Sequence, residues 1–449
     1  MRYFLRVAFI SVSFTYLDSS AQNEGTMYFM NSLPQVVYLN PAFVPKYKVS
    51  VGIPGSSIFV SYSNNGFRYN DLVKKEGDVI TADLDKFYSN LKEKNYITQT
   101  AQVDVFRLSL KVSPRIYLTY NSTAKIYNRQ MLPKDLVGIF IKGNAPFIGS
   151  SATLAPEAES MAMVEHALGG AYMVNKDLVI GARIKWYKGI VNGSTHASTF
   201  NLTVDESSYA LTLEGEMDVR TSGIHSVDDF DFENDYKNYL KNNGFGIDLG
   251  ATYRFLDRIN VSLSITDLGY IKWKNDTYGY SLDPNKARYT FSGIDLNEVI
   301  NDNDEYLSSV ADSLGNNFEP EEKTIPSYTT TMPTKLYLGG NYEIRRNFTA
   351  GVVVYSEIFR GRTSIGTTLG LTKNFGKRFT ATGTYTISNN SYNNIGLGTS
   401  LNLPPFQLYL VGDNILMAAF SGKELNKFIN NTQVFNLRFG LNFRFFYPK

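Results

Sequence analysis

The chain has no cysteine among its 449 residues, and it has only 3 histidines and 2 tryptophans. Without cysteine there is no disulfide framework, so stability has to come from backbone hydrogen bonds and packing. A His/Cys metal site is not expected either, because His166, His196 and His225 fall in separate parts of the chain. The sequence therefore predicts neither a metal nor a cofactor.

Neither sign of charge dominates, since 44 basic and 42 acidic residues leave a net charge of +2. A nucleic-acid-binding domain would carry a clear basic excess, so no nucleic acid is expected as a partner. Beyond the N-terminus, no apolar run approaches the roughly 20 residues of a membrane-spanning helix. The sequence also lacks the Gly-x-Ser-x-Gly pattern of a nucleophile elbow. We therefore assign no catalytic residue and predict a non-enzymatic protein.

Aromatic residues are abundant, with 31 tyrosines and 30 phenylalanines, although the mean hydropathy is only −0.21. Transmembrane β-barrels combine these properties, because half of each strand faces a polar interior and the rims carry aromatic residues. Soluble β-sandwiches can share this composition.

The last strand of the sequence shows a strict alternation. Its apolar residues share one parity: Phe435, Leu437, Phe439, Leu441, Phe443, Phe445 and Tyr447. The other parity includes Asn436, Arg438, Gly440, Asn442 and Arg444. A period of two places these sets on opposite faces of a sheet. A soluble barrel turns the apolar face inward and a transmembrane barrel turns it outward, and periodicity alone leaves both open.

The same alternation recurs in segments of about ten residues, the length that crosses a bilayer at barrel tilt. The connections between segments separate by length. Short turns are predicted at 174–177, 205–207, 256–258, 345–346, 374–377 and 404–405, and long external loops at 220–243, 268–334 and 413–432. The prediction is an all-β fold, a transmembrane antiparallel β-barrel of about 14 to 16 strands over residues 51–449. The lower number applies if the hairpin 197–219 belongs to a loop, and short loop helices are expected at 82–94, 295–314 and 423–429.

The N-terminus has the layout of a secretory signal peptide. Arg2 and Arg6 precede an apolar stretch from Val7 to Leu17, and Ser19 and Ala21 supply small residues before a cleavage site. The alternative is a short buried N-terminal helix. We predict that residues 1–21 are a signal peptide and that the chain is exported to the outer membrane of a Gram-negative bacterium, with outer-membrane lipid as its surroundings.

Residues 22–50 lack the barrel alternation and contain Pro34, Pro41 and Pro45, which argues against a central strand. We predict an N-terminal plug or hatch segment that folds back into the lumen. Its gate candidates are Asn40, Pro41, Ala42 and Phe43, and the alternative for this stretch is a surface turn. In the barrel, the polar parity gives Asp248, Arg254, Arg438 and Arg444 as lumen-facing candidates, and the glycines of 244–250 are expected to keep the wall slim beside the plug.

Three features resemble the FadL-like family of outer-membrane long-chain fatty-acid transporters, whose superfamily includes PorV-like secretion-associated barrels. They are the Asn40-Pro41-Ala42 tripeptide, the strand 244–250 and the Met332-Pro333 pair before strand 336–339. The overall layout is similar to an uncharacterised domain-of-unknown-function branch. The resemblance implies a porin-like barrel with an N-terminal hatch.

The resemblance also implies a function, which is to bind or pass a small hydrophobic molecule as ligand. One alternative is a barrel scaffold or accessory partner of a secretion or surface-lipoprotein complex, with surface or periplasmic proteins as partners. The other is a soluble, secreted all-β adhesin.

Overall fold

The computed structural model describes residues 24–67, 69–76, 79–225, 241–283, 285–293, 312–313, 315–388, 391–414 and 434–445. Several predicted segments lie wholly or mostly outside these residues: the signal peptide 1–21, the loops 220–243 and 413–432, and the helices 295–314 and 423–429. Helices in the described part are short: α1 (Gly25–Tyr28), α2 (Tyr69–Leu72), α3 (Leu84–Asn90) and α4 (Lys134–Lys142), with 3-10 turns at Pro34–Tyr38 and Ala145–Phe147. No helix among the described residues has both the length and the apolar character to span a membrane. Helix α3 lies within the predicted 82–94, whereas α4 was not predicted.

Strands make up most of the fold. In chain order they are β1 Val49–Gly52, β2 Ser57–Asn64, β3 Val73–Glu76, β4 Val79–Ala82, β5 Lys94–Lys111, β6 Ile116–Pro133, β7 Ser151–Thr153, β8 Glu157–Met173, β9 Leu178–Val204, β10 Leu211–Ser222, β11 Asn243–Phe255, β12 Ile259–Trp273, β13 Thr277–Ser281, β14 Arg288–Phe291, β15 Glu321–Thr324, β16 Tyr328–Thr331, β17 Thr334–Arg345, β18 Phe348–Phe359, β19 Arg362–Phe375, β20 Phe379–Ser388, β21 Ser391–Leu403, β22 Phe406–Asp413 and β23 Val434–Phe445.

Fourteen strands form a closed antiparallel barrel, with β1 and β2 acting together as the first strand. The wall closes at this strand, because Val49 lies opposite Leu110 of β5 and opposite Phe445 of β23. The circuit continues through β6, β8, β9, β11, β12 and then β17 to β23 in sequence. The predicted barrel is confirmed, with the lower of the two strand numbers.

The apolar faces of the wall strands point outward. In β23, Arg438 and Arg444 are buried inside the barrel, whereas Phe439 and Phe445 on the opposite parity are exposed. Exposed apolar residues along β11 run from Phe245 to Phe255, which at the usual rise and tilt gives a band about 25 Å tall. A band of this height matches a bilayer core, so the barrel is transmembrane and the inward-facing apolar arrangement of a soluble barrel is excluded.

Short turns lie together at one end of the barrel, which we call the turn end; the opposite end is the loop end. The predicted turns after β8, β11, β17, β19 and β21 are all at the turn end. The prediction for 205–207 is wrong. Strand β9 is 27 residues long and continues past the wall, so its turn to β10 lies beyond the loop end.

The turn after β9 has the same kind of hydrogen bonds as tight turns at the turn end. This similarity explains why 205–207 was predicted to lie at that end. The amides and hydroxyls of Ser208 and Ser207 donate hydrogen bonds to Asp205. These bonds hold the pKa of the exposed Asp205 carboxyl below its usual range. Such side-chain capping marks a turn but not the end of the barrel at which it sits.

Beyond the loop end, several strands form an extension that we call the loop-end sheet. It comprises β7, the second half of β9, β10, β13, β14 and β15, paired in that lateral order with β13 and β14 both against β10. The hairpin 197–219 belongs to this sheet, which accounts for the count of 14 wall strands. The described part of the predicted loop 268–334 contains the end of β12 and all of β13 to β16, so this part includes strands as well as connections.

Candidate functional site

Residues 24–47, which we call the inner segment, lie inside the barrel. They form α1, the turn Pro34–Tyr38 and the tripeptide that follows it. Their apolar side chains pack against inward-facing wall residues in one buried cluster: Met27, Tyr28, Phe29, Met30, Leu33, Val36, Leu39 and Phe43 with Tyr337, Val353, Tyr355, Tyr409 and Val411. The lumen is therefore occupied by the chain's own apolar segment.

The four gate candidates lie together against one side of the wall. The Asn40 side chain accepts a hydrogen bond from the Ala42 amide at 2.8 Å, which makes a local turn. Its Nδ2 donates to the carbonyl of Leu263 at 3.3 Å. Beside it, Ser264 Oγ donates to the Leu39 carbonyl at 2.6 Å. Asn40 is fully buried, so it stands within the barrel rather than in a surface turn.

Glycines of the wall make room for the inner segment. Gly181 and Gly250 are direct register partners on β9 and β11. A Cβ atom added to Gly181 would overlap the backbone of Pro41, and one added to Gly250 would overlap the Asn40 side chain. The same holds around the barrel for Gly339 against Tyr28, Gly351 and Gly370 against Phe29, Gly396 against Thr26 and Gly398 against Met30. Of the three glycines in 244–250, Gly250 faces the inner segment as predicted, whereas Gly244 and Gly246 face the wall residues Ile271 and Tyr187.

Polar side chains of β22 and β23 hold the other side of the inner segment. Arg438 Nε donates to Glu24 at 2.6 Å, and Arg444 Nη1 donates to the Ser32 carbonyl at 3.1 Å. Thr26 donates through its backbone N–H and its Oγ1 to Asp413, at 3.1 and 2.5 Å. The lumen-facing candidates Arg438 and Arg444 thus bind the inner segment directly.

The third lumen-facing candidate, Asp248, belongs to a buried group that we call the charge cluster: Lys125, Glu165, Arg183, Lys185, Asp248, Asp267 and Lys335. Asp248 accepts from Arg183 at 3.0 Å and lies 2.9 Å from the Lys185 ammonium. A bulge in β12 at Thr266 and Asp267 lies opposite Asp248, and the amide of Asp267 donates to the Asp248 side chain at 2.8 Å. Arg183 also donates to the Val37 carbonyl at 3.3 Å, so the charge cluster is tied to the inner segment.

The fourth candidate, Arg254, lies apart from the others. It is on the inward parity of β11, but it stands at the turn end of that strand and its side chain is exposed. It is six residues, or about 20 Å, from Asp248 along the strand, so it is not part of the charge cluster.

An apolar group also lines the lumen at the loop end, which the sequence reasoning did not identify. This methionine–aromatic cluster consists of Tyr127, Met161, Met163, Tyr187, Ile271, Trp273, Tyr328, Met332 and Phe359. Trp273 is fully buried and donates from Nε1 to Thr330 at 2.9 Å. Its ring stacks on Tyr328 with a centroid distance of 6.4 Å. The available signal was apolar residues on the inward parity of β8 and β9, such as Met163 and Tyr187.

Two spaces inside the barrel are small. A space of about 20 Å³ lies between Tyr38 and the charge cluster, and one of about 30 Å³ lies beside Tyr96 and Arg129. Each holds on the order of one or two water molecules. Passage of a solute past the first space, which Tyr38 and Leu39 of the inner segment line, therefore requires movement of the inner segment.

Carboxylates of the charge cluster are paired with cations rather than grouped for a metal. Glu165 lies 2.6 Å from the Lys125 ammonium, and Asp267 lies 3.7 Å from that of Lys335. Among the described residues, no set of three His, Asp or Glu side chains is arranged to hold a metal ion. The charge cluster is thus a network of ion pairs.

Comparison with known proteins gives one family. Residues 41–413, most of the chain, match the model of a family of unknown function, DUF5723. The predicted domain-of-unknown-function branch is confirmed by this match. Among curated proteins, none is similar enough in sequence to count as a match.

Solved structures similar to this chain are outer-membrane-type barrels with low sequence identity. A TodX monoaromatic hydrocarbon channel mutant is 9% identical with a TM-score of 0.44, over 92% of this chain and 95% of that one. A Pseudomonas aeruginosa FadL homologue is 10% identical with a TM-score of 0.42, over 95% and 99%. The Ralstonia pickettii toluene transporter TbuX is 11% identical with a TM-score of 0.36, over 92% and 94%.

Proposed function

The chain belongs to DUF5723, a family of unknown function, and we propose that it is a non-enzymatic outer-membrane barrel that binds a small hydrophobic molecule and passes it through its lumen. In this proposal the loop end faces outward from the cell and the inner segment is the gate. The band of exposed apolar residues supports a membrane location, and the predicted signal peptide supports export.

The observation that carries the proposal is the methionine–aromatic cluster at the loop end of the lumen. The interior of a barrel that conducts polar solutes is lined with polar groups. Here Trp273, Met161 and Met163 face inward and are buried with other apolar side chains. Small-molecule sites are lined mostly by apolar and aromatic groups, and unbranched methionine side chains adapt to differently shaped ligands.

A second apolar surface lies further along the lumen, behind the inner segment. If residues 24–47 moved aside, Val353, Tyr355, Tyr409 and Val411 of the inner wall would be uncovered. A hydrophobic molecule released from the methionine–aromatic cluster would then meet another apolar surface. In the structure described, the inner segment covers this surface, so the conformation is the closed one.

The two tryptophans of the chain provide a test, since Trp273 faces the lumen and Trp186 faces outward. Iodobenzene, a hydrophobic heavy-atom quencher, is titrated into two single-tryptophan variants in detergent. In Trp186→Phe, we expect saturable quenching of Trp273, because the ligand binds beside its ring. In Trp273→Phe, the remaining Trp186 lies on the lipid-facing wall, so its quenching reports iodobenzene at that wall and in the detergent rather than in the lumen. Linear quenching of both tryptophans would contradict a lumen site.

The loop-end sheet favours a second function, that of a docking scaffold for a surface protein. Among the described residues, β15 pairs only with β13 and its four residues are all exposed, so one edge is open to a further strand. Proline at Glu322 would remove a backbone donor from this edge. We expect Glu322→Pro to abolish, and Glu322→Gln to preserve, a specific complex detected by cross-linking in intact cells. Equal complex formation by both variants would argue against docking at β15.

A further inference from the structure

The outward face of the barrel carries two matched rows of side chains near the loop end. The first row is aromatic: Trp186, Phe245 and Tyr270 are register partners on β9, β11 and β12. Their side chains are 51%, 51% and 46% exposed, and the rings of Trp186 and Phe245 stack at 5.9 Å. The second row lies two residues nearer the loop end and contains Lys188, Asn243 and Lys272, again as register partners.

The two lysines are close enough to bind the same anionic group. They lie two strand spacings apart, so their backbones are separated by about 10 Å, with Asn243 between them. The Lys188 ammonium donates to the Asn243 side-chain oxygen, so it is turned toward the middle of the row. It also lies 5.5 Å from the centre of the Trp186 ring. A single anionic group above Asn243 would therefore be within reach of both ammonium groups.

An apolar groove runs along the wall below this row. It has a volume of about 660 Å³ and is lined by Leu168, Ile184, Trp186 and Phe245, with Lys188 at its upper end. Tyr120 and His166, which share a hydrogen bond of 3.2 Å, form its far side. A volume of this size lies within the usual range of about 300–1,000 Å³ for small-molecule sites.

We propose that this face binds a lipid with a phosphate-bearing anionic headgroup. One acyl chain occupies the groove, the aromatic row lies at the level where the headgroup begins, and the phosphate sits between Lys188 and Lys272. The order of apolar, aromatic and cationic residues along the strands matches the order of chain, interface and headgroup in a lipid. The site rests on the membrane orientation proposed above and on no property of the lumen.

The test uses native mass spectrometry of the purified full-length barrel after removal of bound lipid. Dioleoyl phosphatidylglycerol and dioleoyl phosphatidylcholine are added separately, because choline offsets the phosphate charge in the second. We expect the native protein to retain phosphatidylglycerol preferentially. In Lys188→Gln/Lys272→Gln the affinity for phosphatidylglycerol should fall roughly thirtyfold, since each lysine near an anionic lipid contributes about a factor of five.

Lys373 provides the matched control. It is an exposed lysine on β19, its ammonium lies 5.7 Å from the centre of the Phe348 ring, and it is near the turn end. Lys373→Gln should leave phosphatidylglycerol binding unchanged. Heat-dependent migration on a gel checks that each variant is folded.

Two results would overturn the lipid site: equal retention of both lipids by the native protein, or native phosphatidylglycerol affinity in the folded double variant. Failure of the membrane proposal looks different, because the folded protein would then remain in the aqueous fraction without detergent. Failure of the lumen site is also separate, because it is read from Trp273 quenching.

Discussion

Planar bilayers containing the Gly181→Ala/Gly250→Ala variant are expected to show stepwise ion conductance, whereas the unaltered protein should stay closed. The new Cβ atoms would overlap the Pro41 backbone and the Asn40 side chain. The Pro41 backbone cannot rotate away as a flexible side chain would, so the inner segment has to shift. Overpacking of this kind costs about 1–3 kcal/mol per site. We expect the wall to keep its fold at this cost and the inner segment to be displaced.

The control for this variant is Gly340→Ala/Gly383→Ala. A Cβ atom at Gly383 meets nothing within 4 Å, and one at Gly340 meets only a carbonyl oxygen at 3.9 Å. Both glycines are in wall strands, as Gly181 and Gly250 are. The control should fold and remain closed. If the Gly181→Ala/Gly250→Ala variant migrates as a folded barrel but shows no ion conductance, the inner segment does not gate the lumen.

Arg183→Met is expected to destabilise the barrel by about 3–5 kcal/mol, the usual cost of removing one partner from a buried ion pair. Arg183 is 1% exposed and bonds both Asp248 and the Val37 carbonyl. Its loss leaves the buried carboxylates of Asp248 and Glu165 with one cation fewer beside them. The measurement is denaturant unfolding of the detergent-solubilised protein, followed by tryptophan fluorescence.

Most of the stability lost in Arg183→Met should come from the missing charge rather than from the changed packing. In Arg183→Met/Asp248→Asn, the second substitution neutralises the carboxylate that has lost its guanidinium partner, and Lys185 keeps Asp267 as a partner, so the double variant should be at least as stable as Arg183→Met alone. Arg220→Met is the surface control, because Arg220 is 35% exposed and pairs with Asp218 at 2.7 Å. That pair should be worth only about 0–1 kcal/mol. A double variant less stable than Arg183→Met would contradict the charge explanation.

The wall of the barrel could be predicted because its signal is local. In β23, the alternation of Phe439 and Arg438 is visible in consecutive residues, and the face that each side chain takes follows from backbone geometry. The inward placement of Asn40 could also be predicted, because its segment contains three prolines, which do not suit a wall strand, and apolar residues, which do not suit solvent.

The charge cluster could not be predicted, because its members come from six strands, β6, β8, β9, β11, β12 and β17. Alternation gives the face of each residue but not its height relative to a neighbouring strand. Arg183 and Asp248 are 65 residues apart in sequence, and their pairing depends on the register of β9 against β11. The methionine–aromatic cluster was missed for a related reason: Trp273 fell in the predicted loop 268–334, and it shares the parity of the outward-facing Leu263, so only the bulge in β12 turns it inward.

The length of β9 joins two places that are otherwise far apart. Its 27 residues measure about 90 Å when extended. One end of this strand carries Gly181 and Arg183, which contact the inner segment. The other end is a central strand of the loop-end sheet. A force on the loop-end sheet would therefore be transmitted along one continuous strand, which bulges at Ile190 and His196, to the residues that contact the inner segment.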